Sequence, residues 1–393
     1  MLCCTLLVDT VLLPSQTFNY LSYPTNLPQK GHGGGLNSMA SKAEALDVAD
    51  ANAWMELAYA RNWTDGLPVM PPTVERVAEF LDYVGGHPQR VIGIVPPKNG
   101  VATIEQLAIQ SVMAGAKPQY FPIIIAAIQA MLEEPFNLNG IQCTAHIVAP
   151  LTIVSGPIVK QLGFNASFGV FAGGSRANAT VGRAVRLILW NIGGGYTGEP
   201  DRASTGHPGR YTYCIAENQD ANPWEPLHVE QGLAPEQSAV TVMGVEGPHY
   251  CQYGLSCPPE QNLYVMAKVM ATIGNNNQYM FGQTLAVLSS GFAPAFAQAG
   301  WTKQAIKQYL YENARTSLGE IKKSPYFALK RWQDFWPDSI DLTNDSTLVP
   351  IVKGPEDIIV VVAGGVGGPV VCPGWGAHGG LAVTKPVETP QAT

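Results

Sequence analysis

Apolar positions recur along the chain with two different periods. A helical spacing, in which apolar residues return every three or four positions, covers residues 43–62, 103–115 and 120–133. Short runs that are apolar almost throughout occupy residues 151–154, 238–245 and 357–365, and such runs are typical of strands buried on both faces. Because strands of this kind alternate with helices, the pattern predicts an α/β fold with mainly parallel sheets.

A strand-turn-helix unit occurs twice in the chain. Residues 149–164 read APLTIVSGPIVKQLGF, and residues 284–301 read TLAVLSSGFAPAFAQAGW. Each unit has an apolar strand, a Ser-Gly turn and a short apolar helix that ends in glycine and an aromatic residue. The recurrence predicts two α/β halves related by a weak internal duplication, and the chance recurrence of a common unit is the alternative.

The length of 393 residues favours two domains. We place an N-terminal α/β domain at residues 43–235, a C-terminal α/β domain at 236–386 and a tail at 387–393. Residues 1–42 have no apolar period and are expected to be an extension outside the fold. Their apolar start lacks a basic region and contains Asp9, so a cytoplasmic protein is expected, with a poor signal peptide as the alternative.

The chain is poor in charge. Charged residues make up 13% of it, about half of the usual ~25%. Few charged side chains are therefore available for a large solvent-exposed surface, which favours a homo-oligomer that buries part of it. The net charge of −7 and the lack of a basic run argue against a nucleic-acid partner. No segment reaches the length of a clean membrane span, so no membrane partner is expected. Seven scattered cysteines do not form the pattern of a secreted disulfide framework.

Polar and glycine residues that follow the predicted strands are candidates for substrate binding, because ligands of α/β sheets lie beyond the carboxyl ends of strands. Ser155, Gly156 and Ser290 hold such positions. Residues 173–183, GGSRANATVGR, turn into a helix whose first N–H groups, with Arg176 and Asn178, would suit a carboxylate or phosphate. The alternative is an ordinary capped helix with a surface arginine.

Residues 246–258, EGPHYCQYGLSCP, follow a predicted strand and allow three interpretations. His249, Cys251 and Cys257 could bind zinc with Glu246, although their spacing matches no standard zinc motif. Either cysteine could be a nucleophile activated by a histidine. The third interpretation is that the thiols only pack in the core. The position just after a strand makes Glu246 and His249 better candidates than the cysteines.

A second polar segment, residues 204–228, contains His207 between a glycine and a proline. This placement predicts an irregular backbone and a ring with a fixed direction, either as an acid or base or as a hydrogen-bonded loop histidine. Glu217 and Glu225 in the same segment could orient a histidine or act as general bases. Farther upstream, the segment CTAHIVAP places Cys143 and His146 just before the first of the two repeated strands.

Several segments together resemble a family of long bacterial proteins grouped with the UGSC-type (seleno)proteins. They include WTDGLPVMPPTVERV, GGSRANATVGRAVRLIL, GHPGRYTYCIAEN, WEPLHVEQG and VEGPH, and the resemblance covers residues from about Met55 to Lys385. The family is named after a tetrapeptide of selenocysteine or cysteine, Gly, Ser and Cys. This chain lacks the tetrapeptide, and its nearest segment is GLSC at 254–257. The resemblance implies a shared fold and no particular reaction.

The residues favour an enzyme that cleaves a bond in a small anionic organic substrate, as a lyase or hydrolase. His207 and His249 would be the acid and base groups, and Glu246 is a further catalytic candidate. Cys251 or Cys257 would be an optional nucleophile. No GxGxxG motif follows a first strand and no P-loop motif is present, so a dinucleotide or P-loop nucleotide site is not expected, and the cofactor is left open with zinc as one possibility. The lack of a G-x-S-x-G motif argues against a standard serine hydrolase. The alternatives are a metal- or thiol-binding protein without organic turnover and a structural subunit of an oligomer.

Overall fold

The structure, a computed structural model, describes residues 9–12, 43, 45–376 and 379–388. Within them the helices are α1 Ala51–Ala60, α2 Val74–Val84, α3 Ile104–Met113, α4 Phe121–Met131, α5 Leu138–Cys143, α6 Ile158–Gln161, α7 Arg176–Asn191, α8 Leu227–Glu230, α9 Pro259–Met270, α10 Asn277–Met280, α11 Phe292–Gln298, α12 Lys303–Asn313, α13 Leu318–Ile321 and α14 Pro325–Ala328. None of these helices is long and apolar enough to cross a lipid bilayer.

The strands form two four-stranded sheets and three two-stranded ones. They are β1 Asp9–Leu12, β2 Ala45–Val48, β3 Val91–Val95, β4 Gly100–Thr103, β5 Ala149–Ser155, β6 Cys214–Ala216, β7 Ala239–Val245, β8 His249–Tyr250, β9 Thr284–Leu288, β10 Arg315–Ser317, β11 Leu348–Pro350, β12 Ile358–Val362, β13 Val370–Pro373 and β14 Val383–Pro386. Sheet I has the order β14-β7-β5-β6 and sheet II the order β12-β9-β13-β8, while β1-β2, β3-β4 and β10-β11 pair separately.

The α/β class is confirmed, but the expectation of mainly parallel sheets was wrong. In sheet I only β5 and β6 are parallel, and in sheet II only β9 and β12 are parallel. The other neighbours in both sheets are antiparallel. Apolar runs reveal burial on both faces and do not reveal strand direction. Here the double burial has another cause, because each sheet is covered by helices on one face and by the other sheet on the opposite face.

The two sheets pack face to face around a shared core. Leu151 and Ile153 of β5 lie in this core with Leu285 of β9 and Ile359 of β12. Helices α4 and α7 pack on the outer face of sheet I, and α9 and α12 pack on the outer face of sheet II. The central part of the chain therefore has four layers, helix on sheet on sheet on helix, which bury both faces of each sheet.

The chain crosses between the two sheets twice, each time into an edge strand. After β7 of sheet I the chain crosses to β8 at the edge of sheet II, and after β13 of sheet II it crosses to β14 at the edge of sheet I. The domain boundary between residues 235 and 236 stays a prediction, and sheet I takes strands from both sides of it.

The predicted terminal segments are described only in part. Of residues 1–42, the structure describes Asp9–Leu12, which pair antiparallel with Ala45–Val48, and Leu12 is buried. In the predicted tail, Val387 is buried and its N–H donates to the Ser238 carbonyl. Apart from Glu388, which is exposed, the rest of both segments lies outside the described residues.

Candidate functional site

Glu246 and His146 meet at the end of sheet I where β5 begins and β7 ends. Val245, the last residue of β7, pairs with Ala149, the first residue of β5. The residue after β7 and the loop before β5 therefore come together, and Nε2 of His146 lies 3.0 Å from Oε1 of Glu246. The two side chains are 22% and 17% exposed, so a small molecule in solvent can reach the pair.

The hydrogen bonds fix the tautomer of His146. The backbone N–H of Val148 donates to Nδ1 of His146 over 3.2 Å, so Nδ1 is the unprotonated nitrogen of the neutral ring. Nε2 then carries the proton and donates to Glu246. The Glu246 backbone is held as well, because its N–H donates to the Pro373 carbonyl of sheet II over 2.8 Å.

His207 lies behind this pair. Its Nδ1 accepts from the Gly209 N–H over 3.1 Å, and its ring meets the Tyr213 ring edge-on at 5.4 Å. Nε2 is buried and has no partner within hydrogen-bond geometry among the described residues. The Val245 backbone lies near enough to the ring to favour its protonated form slightly. Burial, and then the charge of Arg210, lower the pKa of His207 to about 4, so the ring is neutral at neutral pH.

Tyr213 connects the cluster to the core between the sheets. Its hydroxyl donates to the Glu246 carbonyl over 2.8 Å and lies 3.7 Å from the sulfur of Cys372. Burial raises the pKa of the Tyr213 hydroxyl well above its ordinary value, so the group stays protonated and acts as a donor. This bond fixes the backbone from which the Glu246 side chain extends.

An ion pair holds the loop that carries His207. The Arg210 guanidinium pairs with Asp201 through Nη1, and its Nη2 donates to the Val148 carbonyl over 2.6 Å. Val148 lies two residues after His146, so this arginine ties the His207 loop to the segment that carries the His146–Glu246 pair.

The structure brings together two of the five predicted catalytic residues, His207 and Glu246, and places the other three elsewhere. His249 is exposed on β8, Cys251 is buried, and Cys257 is exposed beside a pocket of about 330 Å³. Burial raises the pKa of Cys251 to about 12, which keeps it a thiol. In the described part of the chain, no hydrogen bond, ion pair or ring contact joins these three residues to His207 or Glu246.

The described residues offer no ligand set for the zinc site considered at residues 246–258. Within residues 9–12, 43, 45–376 and 379–388, no group of three or more His, Cys, Asp or Glu side chains is placed to hold a metal ion. The zinc interpretation of residues 246–258 therefore gains no support from the geometry. His378, in the Gly-rich loop after β13, lies outside the described residues.

Most of the predicted substrate-binding residues lie at the other end of β5. Ser155 is the last residue of that strand and Gly156 follows it, directly before Pro157, which lines a cavity of about 710 Å³. The Asn178 side chain binds both backbone groups of Asn165 in the cavity wall, accepting from N–H and donating to the carbonyl at 2.9 Å each. Ser290 follows β9, where its N–H is 3.4 Å from the Gly364 carbonyl.

The cavity and the histidine cluster are therefore separate. The seven residues of β5 place its two ends about 20 Å apart. The buried carboxylate in the cavity wall, Glu217, is already engaged, because it accepts from the Leu227 N–H and from Asn222. We place the candidate site at the cluster, where partly exposed ionisable groups face each other, although the cavity is the more obvious concavity.

Arg176, the predicted anion anchor, is bound to backbone. Its Nε and Nη2 donate to the Gly115 carbonyl at 3.0 and 2.9 Å, and Nη2 also approaches the Ala116 carbonyl. These carbonyls follow the C-terminal end of α3, where a cation stabilises the helix. The residue therefore joins two helices and lies near neither His207 nor Glu246.

His146 lies in a segment that the sequence singles out, but neither it nor Arg210 or Tyr213 is among the predicted site residues. The signal for His146 was present, because it directly precedes one apolar strand while Glu246 directly follows another. In antiparallel neighbours the start of one strand lies beside the end of the next. The assumption of parallel strands placed the two residues at opposite ends of the sheet and concealed the pair.

The comparisons with known proteins gave no relative from which residue roles could be transferred. No family model, curated protein or solved structure matches the chain. The interpretation of the site therefore depends on its own geometry.

Proposed function

We propose that the protein is an enzyme, a lyase or hydrolase, that cleaves a bond in a small anionic organic substrate with Glu246 as the general base. The observation that carries the proposal is the 3.0 Å hydrogen bond between the partly exposed side chains of His146 and Glu246. A carboxylate held by a histidine of fixed tautomer is positioned before the substrate arrives, as general base catalysis requires.

In this proposal each group has one role. His146 donates from Nε2 to one carboxylate oxygen, and the second oxygen of Glu246 accepts a proton from water or from a carbon atom of the substrate. Tyr213 and Pro373 hold the Glu246 backbone in place. His207 is a positioning residue, because its Nε2 is buried beneath the cluster. No cysteine is needed for the step.

The test is a screen of small carboxylate and phosphate compounds, including esters, amides and β-substituted acids, for turnover by the wild-type protein. Glu246→Gln keeps the shape of the side chain and removes the base, so we expect a loss of about 10²–10⁴-fold in kcat, the usual contribution of a general base. Glu133→Gln is the matched control, because Glu133 is a surface carboxylate paired with Lys385. Turnover that survives in Glu246→Gln at the wild-type rate would contradict the proposal.

We also propose that the two sheets derive from an internal duplication. Strands β5 and β9 each have one parallel and one antiparallel neighbour, and the strand after each antiparallel neighbour crosses to the other sheet. Helices α4 and α9 pack on the antiparallel neighbours, and α7 and α12 on the parallel ones. Superposition of α4–β8 on α9–β14 in an experimental structure would test this origin, and helices that do not superpose would contradict it.

The homo-oligomer is likewise a proposal, supported by the charged fraction of 13%. Light scattering at micromolar concentration would test it, and a monomeric mass would contradict it.

A further inference from the structure

Arg186 on α7 is a buried cation that forms no ion pair with a carboxylate within the described residues. The residue is only 6% exposed. Its Nε donates to the Arg210 carbonyl over 2.8 Å, and this is the one hydrogen bond of its side chain within the described residues. The two terminal nitrogens, which carry four of the five guanidinium protons, are therefore left without an acceptor there.

Around Arg186, the arginine side chains outnumber the carboxylates by one. The carboxylates that act on it are Asp201 and Asp65, and each is already paired with a different arginine. Asp201 pairs with Arg210, and Asp65 pairs with Arg183 at 2.9 Å. Three guanidinium groups thus share two carboxylates in a region where all five side chains are largely buried.

A buried positive charge without a carboxylate of its own destabilises the fold, because the ion has lost its hydration and gains no opposite charge in return. The same imbalance is expressed in the pKa of Arg186, which burial and the nearby Arg210 lower to about 10. At neutral pH the side chain is still charged. A bound anion would supply the missing negative charge.

We propose that Arg186 is the anchor of an oxyanion site, which receives the carboxylate or phosphate group of the substrate. That the anion belongs to a substrate rests on the proposed function, but the binding of the anion does not depend on turnover. The planar guanidinium can donate from both terminal nitrogens to two oxygens of one anion. Arg210, whose carbonyl accepts from Arg186, also binds the Val148 carbonyl, two residues from His146. The charge of Arg186 also acts on His207, so the anion would lie on the side of the fold that carries the histidine cluster.

The position of this site differs from the anchor that the sequence predicted. Arg176 and Arg186 lie on the same helix, but ten residues of α helix separate them by about 15 Å. Arg176 donates to backbone carbonyls, whereas the terminal nitrogens of Arg186 have no such acceptors among the described residues. The two arginines are therefore a matched pair for an experiment.

The experiment measures the melting temperature of the full-length protein in sodium phosphate, sodium sulfate and sodium acetate, each against sodium chloride at equal ionic strength. We expect at least one oxyanion to raise the melting temperature of the wild-type protein in a saturable manner, because a ligand that binds only the folded state stabilises it. Arg186→Met should abolish the rise, and Arg176→Met should retain it. A response to acetate alone would indicate a carboxylate ligand, and a response to phosphate and sulfate alone a phosphate-type ligand.

A second variant covers the case in which Arg186→Met does not fold. Arg186→Lys keeps the charge and loses the fork, so titration calorimetry with the responding anion should show binding at least ~10-fold weaker than in the wild type. No oxyanion effect on the wild type, or an effect unchanged in both Arg186 variants, would overturn the site. Glu246→Gln should keep the anion effect, so failure of the proposed base and failure of the anion site are distinguishable.

Discussion

His207 is a histidine whose surroundings favour the neutral ring. It is the N-cap of a short 3-10 turn, Pro208–Arg210, in which Nδ1 accepts from the Gly209 N–H. A protonated Nδ1 could no longer accept that bond, and the Arg210 guanidinium would repel the added charge. Burial, and then the charge of Arg210, lower the pKa of His207 from 6.5 to about 4.

The shift predicts how stability depends on pH. Because the folded pKa lies below the unfolded value, the unfolded chain takes up a proton first as the pH falls. The contribution of His207 is complete above pH 6.5 and is lost progressively as the pH falls from 6.5 to about 4. We expect the loss to be on the order of 1–2 kcal/mol, less than the full shift would give, because the side chain is only partly buried.

His207→Asn isolates this effect. The Asn Oδ1 can accept the Gly209 N–H as an N-cap, and the side chain does not titrate in this range. Urea unfolding at several pH values should therefore show a shallower decline of the free energy of unfolding between pH 6.5 and 4 than in the wild type. His87→Asn is the control, since His87 also accepts from the residue two positions on but is exposed. A decline that flattens equally in both variants would refute the assignment to His207.

At the scale of secondary-structure elements, the positions of several strands and helices could be predicted from the sequence. The strands expected at 238–245 and 357–365 are confirmed as β7 and β12. Both are buried along their whole length, as a short uninterrupted apolar run predicts. The helix expected after the glycine turn is α7, and its Ser175 N-cap accepts from the Asn178 N–H. Strand direction could not be predicted, since both directions bury the same side chains, and the site depends on direction.

Contacts between elements also depend on positions that look unremarkable in the sequence. Gly100, the first residue of β4, lies against the end of α7, and a Cβ atom there would be 2.0 Å from the Ile192 carbonyl oxygen. The obstacle is backbone, so either the β3–β4 hairpin or the end of the helix must move. We expect Gly100→Ala to lower the free energy of unfolding by about 2–3 kcal/mol, as overpacking does.

Gly86→Ala is the matched control for this prediction. The nearest atom to a Cβ at Gly86 is a flexible Val84 methyl at 3.7 Å, which is ordinary contact. The change should stay within about 0.5 kcal/mol. Denaturant unfolding of the two variants and the wild type checks the difference, and equal stabilities for the two variants would show that the hairpin does not press on α7.

At the scale of the whole molecule, the two chain crossings between the sheets, from β7 to β8 and from β13 to β14, join the sheets into one unit. β14, at the edge of sheet I, pairs antiparallel with β7, while β8, at the edge of sheet II, pairs with β13. The core between the sheets takes side chains from both. The candidate site depends on the same arrangement, because Glu246 stands in the crossing from β7 to β8 and donates its N–H to Pro373 of β13.

This arrangement predicts that neither half of the chain folds by itself. A fragment of residues 45–235 would contain β5 and β6 but not β7 and β14, so it would lack half of sheet I and the whole of sheet II. Its α4 helix would lose the strands on which it packs, and the apolar residues of β5 that face sheet II would be exposed to water. The hydrophobic surface that folding normally buries would then be insufficient to offset the loss of chain entropy.

Circular dichroism and thermal melting of the fragment check this prediction, with the full chain as the reference. We expect the 45–235 fragment to aggregate or to melt without a cooperative transition, and co-expression with residues 236–388 to restore a soluble complex. A cooperative transition of the isolated fragment would show instead that residues 43–235 are an independent domain. In that case the predicted boundary at 235 would be correct, and sheet I would require β7 and β14 only for completion of the His146–Glu246 site.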